Sequence, residues 1–123
     1  MTKKILLIDD DSSIQDITQV AIRKIAKWDV VSALSGAEGV DKAKTEHPDA
    51  ILLDISMPEM NGYQVFEQLQ TAPETRSIPV VLLTAKALPS DRRRFAAMGV
   101  AGVITKPFDP VNVWAQVATA LGW

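Results

Sequence analysis

The feature that most constrains this chain is a repeated change of period. Short apolar runs rich in Val, Ile and Leu lie at about residues 4–8, 30–33, 50–53, 80–83 and 102–105. Each is bounded by Asp, Gly, Pro or Ser, and each is separated from the next by a longer amphipathic segment. Near-continuous apolar strands of this kind are buried on both faces, which points to a parallel sheet covered by helices on both sides.

The intervening segments read as helices. Ile14, Ile17, Ala21, Ile25 and Trp28 keep helical spacing, with Ser12 or Ser13 as the expected N-cap. Ala37, Val40 and Ala43 or Lys44 mark a second helix, and Tyr63, Val65, Phe66 and Leu69 a third, entered after Gly62. A fourth is expected over about residues 90–98, stopped by Gly99, and a fifth from Pro110 at a first helical position to Leu121. Five βα units in succession predict an α/β fold, a doubly wound (βα)5 parallel sheet of strand order 2-1-3-4-5, flavodoxin-like.

The 123 residues suit one domain, and residues 1–123 are read as a single unit. The chain has no cysteine, which excludes thiol catalysis, Cys-ligated zinc and disulfides. A formal net charge of -2 gives no electrostatic case for a nucleic-acid or membrane partner. The apolar run after Lys3 and Lys4 is cut off by Asp9, Asp10 and Asp11, too early for a secretory signal. No stretch approaches the roughly 20 apolar residues of a membrane span, so a cytoplasmic protein is expected.

In open α/β sheets, sites form at the carboxyl ends of strands. Here those ends carry Asp9, Asp10 and Asp11, then Asp54, Thr84 and Lys106. With the first and third strands adjacent, Asp9, Asp10 and Asp54 would crowd one crevice. Like charges so placed need neutralising, and a hard cation with oxygen ligands, Mg2+ where phosphate chemistry follows, would do so. Thr84 and Lys106 could then grip a phosphoryl group on the other side, with Asp54 between them as a nucleophile. Asp11 reads foremost as a helix cap or turn residue, and Thr84 alone could be a strand residue and Lys106 alone a loop lysine. Turn chemistry does not account for the whole set.

The motifs Ile8-Asp9-Asp10-Asp11, Leu53-Asp54-Ile55-Ser56-Met57-Pro58-Glu59-Met60-Asn61-Gly62, Leu83-Thr84-Ala85 and Thr105-Lys106-Pro107-Phe108 resemble, in order and spacing, those of the response-regulator receiver family of two-component signalling. The resemblance covers essentially the whole chain. It implies that Asp54 is the phosphoacceptor and that Asp10 and Asp54 are Mg2+ ligands, with Asp9 acting through water and Ser56 through its backbone carbonyl. It also implies that Thr84 and Lys106 contact the phosphoryl group. The donor would be a histidine kinase or a histidine phosphotransfer protein, and the chain would be a switch rather than an enzyme. The resemblance further supports a cis Lys106–Pro107 bond, a form that only X-Pro bonds take at small cost. Ser56 and Lys86 flank the expected path of hydrolytic water.

Other readings fit parts of the sequence. A receiver excised from a hybrid kinase or larger regulator has the same sequence. An aspartate-nucleophile phosphatase would need a second acid two residues after its nucleophile; Asp11 follows Asp9 so, but Ser13 departs from that pattern. A flavodoxin-like cofactor binder would need a phosphate loop after the first strand. His47 reads as a corner residue, Arg92 to Arg94 as a solvated helix surface, and Met57 and Met60 as local packing. On the last helix, Val113, Val117 and Ala120 suffice to cover the sheet. Val111, Trp114, Ala118 and Leu121 then form a second apolar stripe, covered either by the chain's own end, including Trp123, or by an output partner or second copy.

Val103, three residues before Lys106, stands where the family commonly carries an aromatic ring that moves with the threonine. The phosphorylation chemistry does not call on that ring. Val103→Tyr is therefore expected to change partner affinity more than phosphorylation rate, the first read by a binding titration and the second by intact mass.

Overall fold

The structure, a computed structural model, describes residues 2–57, 60–85 and 88–123. Pro58 and Glu59 of the acceptor-loop motif, and Lys86, lie outside the described residues. The strands are β1 (Lys4–Ile8), β2 (Asp29–Ala33), β3 (Ala50–Asp54), β4 (Val80–Thr84) and β5 (Gly102–Thr105). The helices are α1 (Ser12–Ala21), α2 (Gly36–Glu46), α3 (Gly62–Thr71), α4 (Pro89–Met98) and α5 (Val113–Leu121). The sheet is parallel throughout, in the order β2-β1-β3-β4-β5, as the alternation of period predicts.

Alternate strand residues feed two cores. Leu6, Ile8, Leu53 and Leu82 meet Val40, Ala43, Val65, Leu69 and Phe95 from α2, α3 and α4. Ile5, Leu7, Leu52, Val81 and Ile104 meet Ile22, Val113 and Val117 on the other face. β1, β3 and β4 lie inside the sheet with both faces covered, so their runs carry no polar alternation.

A carboxylate sets the start of both α1 and α5. Asp11, rather than Ser12 or Ser13, caps α1, its Oδ1 accepting from the Ser13 and Ile14 amides at 3.1 and 3.2 Å. Pro110 is not the first residue of α5. Asp109 ties the preceding turn by accepting from the Val111 amide at 3.0 Å and from Asn112 Nδ2 at 2.9 Å, and the helix begins at Val113. α3 starts with an Asn61–Gln64 capping box, and α4 ends at Gly99, which has φ +79°. Lys106–Pro107 is cis, as expected.

The face of α1 is rotated from its expected position. Gln15, Thr18, Ala21 and Ile22 are buried, while Ile17 and Val20 are 54 % and 49 % exposed. Two causes are visible. Gln15 hydrogen-bonds to strand-end carbonyls, which fixes the inward side of the helix. The helix then widens into a π-helical turn over Ile22–Ala26, shifting the phase and leaving Ile25 exposed.

The second stripe of α5 is largely covered from within. Trp114 is half-buried and meets Trp28 edge-on at 6.4 Å, and Trp28 meets Trp123 edge-on at 5.1 Å. Lys3 Nζ lies 4.8 Å from the Trp123 ring centroid. Ala118 and Leu121 are also half-buried, so of the four stripe residues only Val111, ahead of the helix, is exposed, at 50 %. Of the two covers open to the stripe, the chain's own end contributes one, an aromatic cap of Trp28, Trp114 and Trp123. Trp114→Glu is expected to lower stability by roughly 2 kcal/mol, measured by urea unfolding, because it removes a half-buried ring and places a charge against Trp28. Unchanged stability with lost self-association would restore the open stripe.

Candidate functional site at the carboxyl edge of the sheet

β1 and β3 are hydrogen-bonded neighbours, with Ile8 opposite Leu53. Each strand therefore delivers its terminal acid to the same edge. Asp9 and Asp54 are almost fully buried, at 1 % and 2 % exposure, whereas Asp10 is exposed. One carboxylate oxygen from each of Asp9, Asp10 and Asp54 lies within 4.8 Å of the others.

Lys106 arrives from the far edge of the sheet. Its backbone amide donates to the Thr84 carbonyl at 2.8 Å, which prolongs the β4–β5 pairing by one residue. Its Nζ sits 3.3 Å from Asp9 Oδ2 and 3.1 Å from Asp54 Oδ1. Thr84, buried at the end of β4, lies one residue beyond Leu83, the partner of Asp54. Asp54, Thr84, Lys106, Asp9 and Asp10 are thus brought to one edge, as their strand-end positions imply.

Backbone contacts hold the acids in place. Asp9 Oδ1 accepts from the Asp11 amide at 3.0 Å, and Asp54 Oδ1 from the Ser56 amide at 3.2 Å. The Ser56 side chain is exposed. Gly62 closes the acceptor loop by donating to the Ile55 carbonyl at 2.9 Å. A Cβ on Gly62 would fall 2.6 Å from Ile55 Cα and 2.7 Å from Asp54 O, so only glycine permits this approach. Sequence reasoning passed over Gln15. It is buried at 3 % exposure, and its Nε2 donates to the carbonyls of Ala33 at 2.7 Å and of Leu7 and Asp9 at 3.3 Å. The only signal in the sequence was a polar residue one position off the presumed apolar face.

Burial pushes the Asp54 carboxyl up to about 6, reinforced by the neighbouring Asp9 and opposed by Lys106 and the Ser56 amide. Desolvation pulls the Lys106 ammonium down, but Asp9 and Asp54 outweigh it, and its pKa lies above the ordinary value. Among the described residues, three carboxylates against one lysine leave an excess of negative charge. The donors are all hard oxygens, and that set fits Mg2+. Beside Lys106, a cavity of about 330 Å3 is lined by Asp11, Ile14, Ala85, Lys106, Pro107 and Phe108. His47 occupies an exposed helix-to-strand corner, and Arg92, Arg93 and Arg94 are exposed, with Arg94 over the Tyr63 ring.

Fold and site together define a class: a five-stranded doubly wound α/β domain with an acid cluster and a lysine at its carboxyl edge. The family model of the response regulator receiver domain matches residues 5–118, and the chain belongs to that family of two-component signalling proteins. It is 37 % identical over 121 residues to the alkaline phosphatase synthesis transcriptional regulatory protein PhoP of Bacillus subtilis, covering 98 % of this chain and 49 % of that protein. It is 31 % identical to the polar-differentiation response regulator DivK of Brucella ovis, covering 99 % and 98 % of the two chains. The structure of chemotaxis response regulator CheY4 of Vibrio cholerae matches at TM-score 0.89 and 26 % identity, over 98 % of this chain and 99 % of that one. The chain thus spans about half the length of PhoP and nearly all of DivK. Receiver domains are signalling switches rather than classical enzymes. Among the described residues, no helix is long and apolar enough to cross a membrane.

The raised pKa of Asp54 has a stability consequence. A carboxyl with a folded pKa near 6 and an ordinary value of 3.8 binds more protons folded than unfolded between those limits. Its ionisation therefore costs stability, increasingly as pH rises through that window. In metal-free buffer, Asp54→Asn is expected to be more stable than the parent at pH 7 by roughly 1–2 kcal/mol. The difference should vanish as pH falls to about 4. Urea unfolding in the presence of a chelator reads both.

Proposed function

We propose that the chain is a Mg2+-dependent phosphoacceptor, phosphorylated on Asp54 by a histidine kinase or a histidine phosphotransfer protein. The observation that carries the reading is the pairing of two buried strand-end carboxylates, Asp9 and Asp54, with the single ammonium of Lys106. Asp9, Asp10, Asp54 and the backbone carbonyl of Ser56 would hold the metal. When bound, Mg2+ supplies positive charge for the carboxylates and for the phosphoryl oxygens.

The chain's own residues do the rest. An Asp54 carboxylate oxygen attacks phosphorus. The P–N bond of the donor phosphohistidine breaks, and the imidazole leaves with the electron pair and takes up a proton. Phosphoryl transfer passes through a loose transition state, so positioning and charge neutralisation account for most of the rate. Lys106 neutralises one phosphoryl oxygen, and the Thr84 hydroxyl donates to another. Water later cleaves the acyl phosphate and returns Asp54 to the free carboxylate. The added charge, about -1.5 to -2, gives the site its means of shifting a surface equilibrium. An output partner or second copy reads that shift near β5 and α5, where Val103 and Val111 are exposed apolar residues.

The chain corresponds to nearly all of DivK but about half of PhoP, so a receiver within a larger regulator is the second reading. The length of the complete gene separates the two.

A small acyl-phosphate donor with Mg2+ is expected to add one phosphoryl group by intact mass, and a chelator or Asp54→Asn should abolish it. Asp10→Asn should weaken Mg2+ binding more than Asp11→Asn, because Asp11 is committed to capping α1. Equal labelling of Asp54→Asn would overturn the assignment, and the reverse order of metal affinities would overturn the ligand ranking.

A further inference from the structure

We propose that Gln15 is a positioning residue for the metal-binding turn, setting the affinity of the Asp9–Asp10 pair for a divalent cation without touching it. The inference rests on the phosphoacceptor reading above and deepens it. At the carboxyl end of β1 the chain leaves the sheet and turns into α1, and Asp9 lies in that turn. The ladder between β1 and β2 stops at Ile8 and Ala33, prolonged only by the Asp9 amide donating to the Ala33 carbonyl at 3.1 Å. Buried carbonyls at such an edge require other donors.

Gln15 supplies them from one turn into α1. Its Nε2 carries two hydrogens and faces three carbonyls: Ala33 at 2.7 Å, and Leu7 and Asp9 at 3.3 Å each. One amide thus ties the end of β1, the end of β2 and the residue that bears the buried carboxylate. The side chain is itself buried, so water offers little replacement. The Asp9 carboxylate is held from the far side by the Asp11 amide and by Lys106, but its backbone carbonyl is held by Gln15. Rotation of that peptide would carry both Asp9 and Asp10 away from Asp54. Partners that orient ligands from behind typically govern metal affinity by about 10- to 100-fold.

Thr18 provides the internal control. It lies one turn further along the same buried face, and its Oγ1 is the one buried side-chain polar atom without a hydrogen-bond partner among the described residues. Thr18→Val alters the packing of α1 but touches no hydrogen bond at the turn.

The test compares the full chain with Gln15→Met, which keeps the volume and removes the donors, and with Thr18→Val. Mg2+ binding is measured by calorimetry with no phosphate donor present, and the phosphorylation rate at saturating Mg2+ with a small acyl phosphate. Gln15→Met is expected to raise the Mg2+ dissociation constant about tenfold while the saturated rate stays within about twofold, and Thr18→Val to change neither. An unchanged dissociation constant in Gln15→Met, or an equal rise in Thr18→Val, overturns the proposal and leaves the phosphoacceptor reading intact. Failure of the parent chain to bind Mg2+ overturns both. Should Gln15→Met not fold, the parent chain labelled with 15N decides the matter. The Gln15 side-chain amide signals should shift as Mg2+ is added, and signals that stay still overturn the proposal.

Discussion

Lys106 bridges two buried carboxylates that come from different strands, at 3.3 Å from Asp9 and 3.1 Å from Asp54. Much of the structure serves that contact. β1 and β3 must be neighbours for the acids to share a crevice, and β5 must lie beyond β4 for the lysine to reach it. The order β2-β1-β3-β4-β5 meets both conditions. The bridge does not fully offset burial and the neighbouring Asp9, which together hold the Asp54 carboxyl above its ordinary range. The edge therefore stores a charge imbalance, which a cation or a phosphoryl group can change.

That imbalance is held by backbone more than by side chains. Amides of Asp11 and Ser56 donate to the two buried acids, and Gly62 brings α3 against the acceptor strand where a Cβ would collide with backbone. Tight closure of this kind holds the acid at the strand end. It also explains why a turn glycine and two turn amides belong to the site as much as the acids do.

The opposite end of the sheet is organised by apolar contact. Trp28, Trp114 and Trp123 interlock edge to face, joining the end of the π-helical turn, α5 and the chain terminus. Such pairs are worth more than their area alone. The two ends thus divide the work: aromatic packing fixes α1 and α5 at the base, and the carboxyl edge carries charge and loops.

The period of the apolar residues by itself determined the five βα units and the parallel sheet, and strand-end chemistry placed Asp9, Asp10, Asp54, Thr84 and Lys106 at one edge. Both are legible because strand ends and hydrophobic runs are local, and a doubly wound sheet leaves few ways to arrange them. Local pattern did not reveal which face of α1 is inward. Ile14, Ile17 and Ile25 had the apolar spacing, but Gln15 takes the inward position because the strand ends offer it three carbonyls. Cover of the α5 stripe by Trp123 is open to a reading of the sequence, but the part of Trp28, distant in sequence from that helix, is not. Hydrophobicity ranks residues one at a time. Which buried position accepts a polar group, and which apolar one stays in water, depends on partners that only the folded sheet brings within reach.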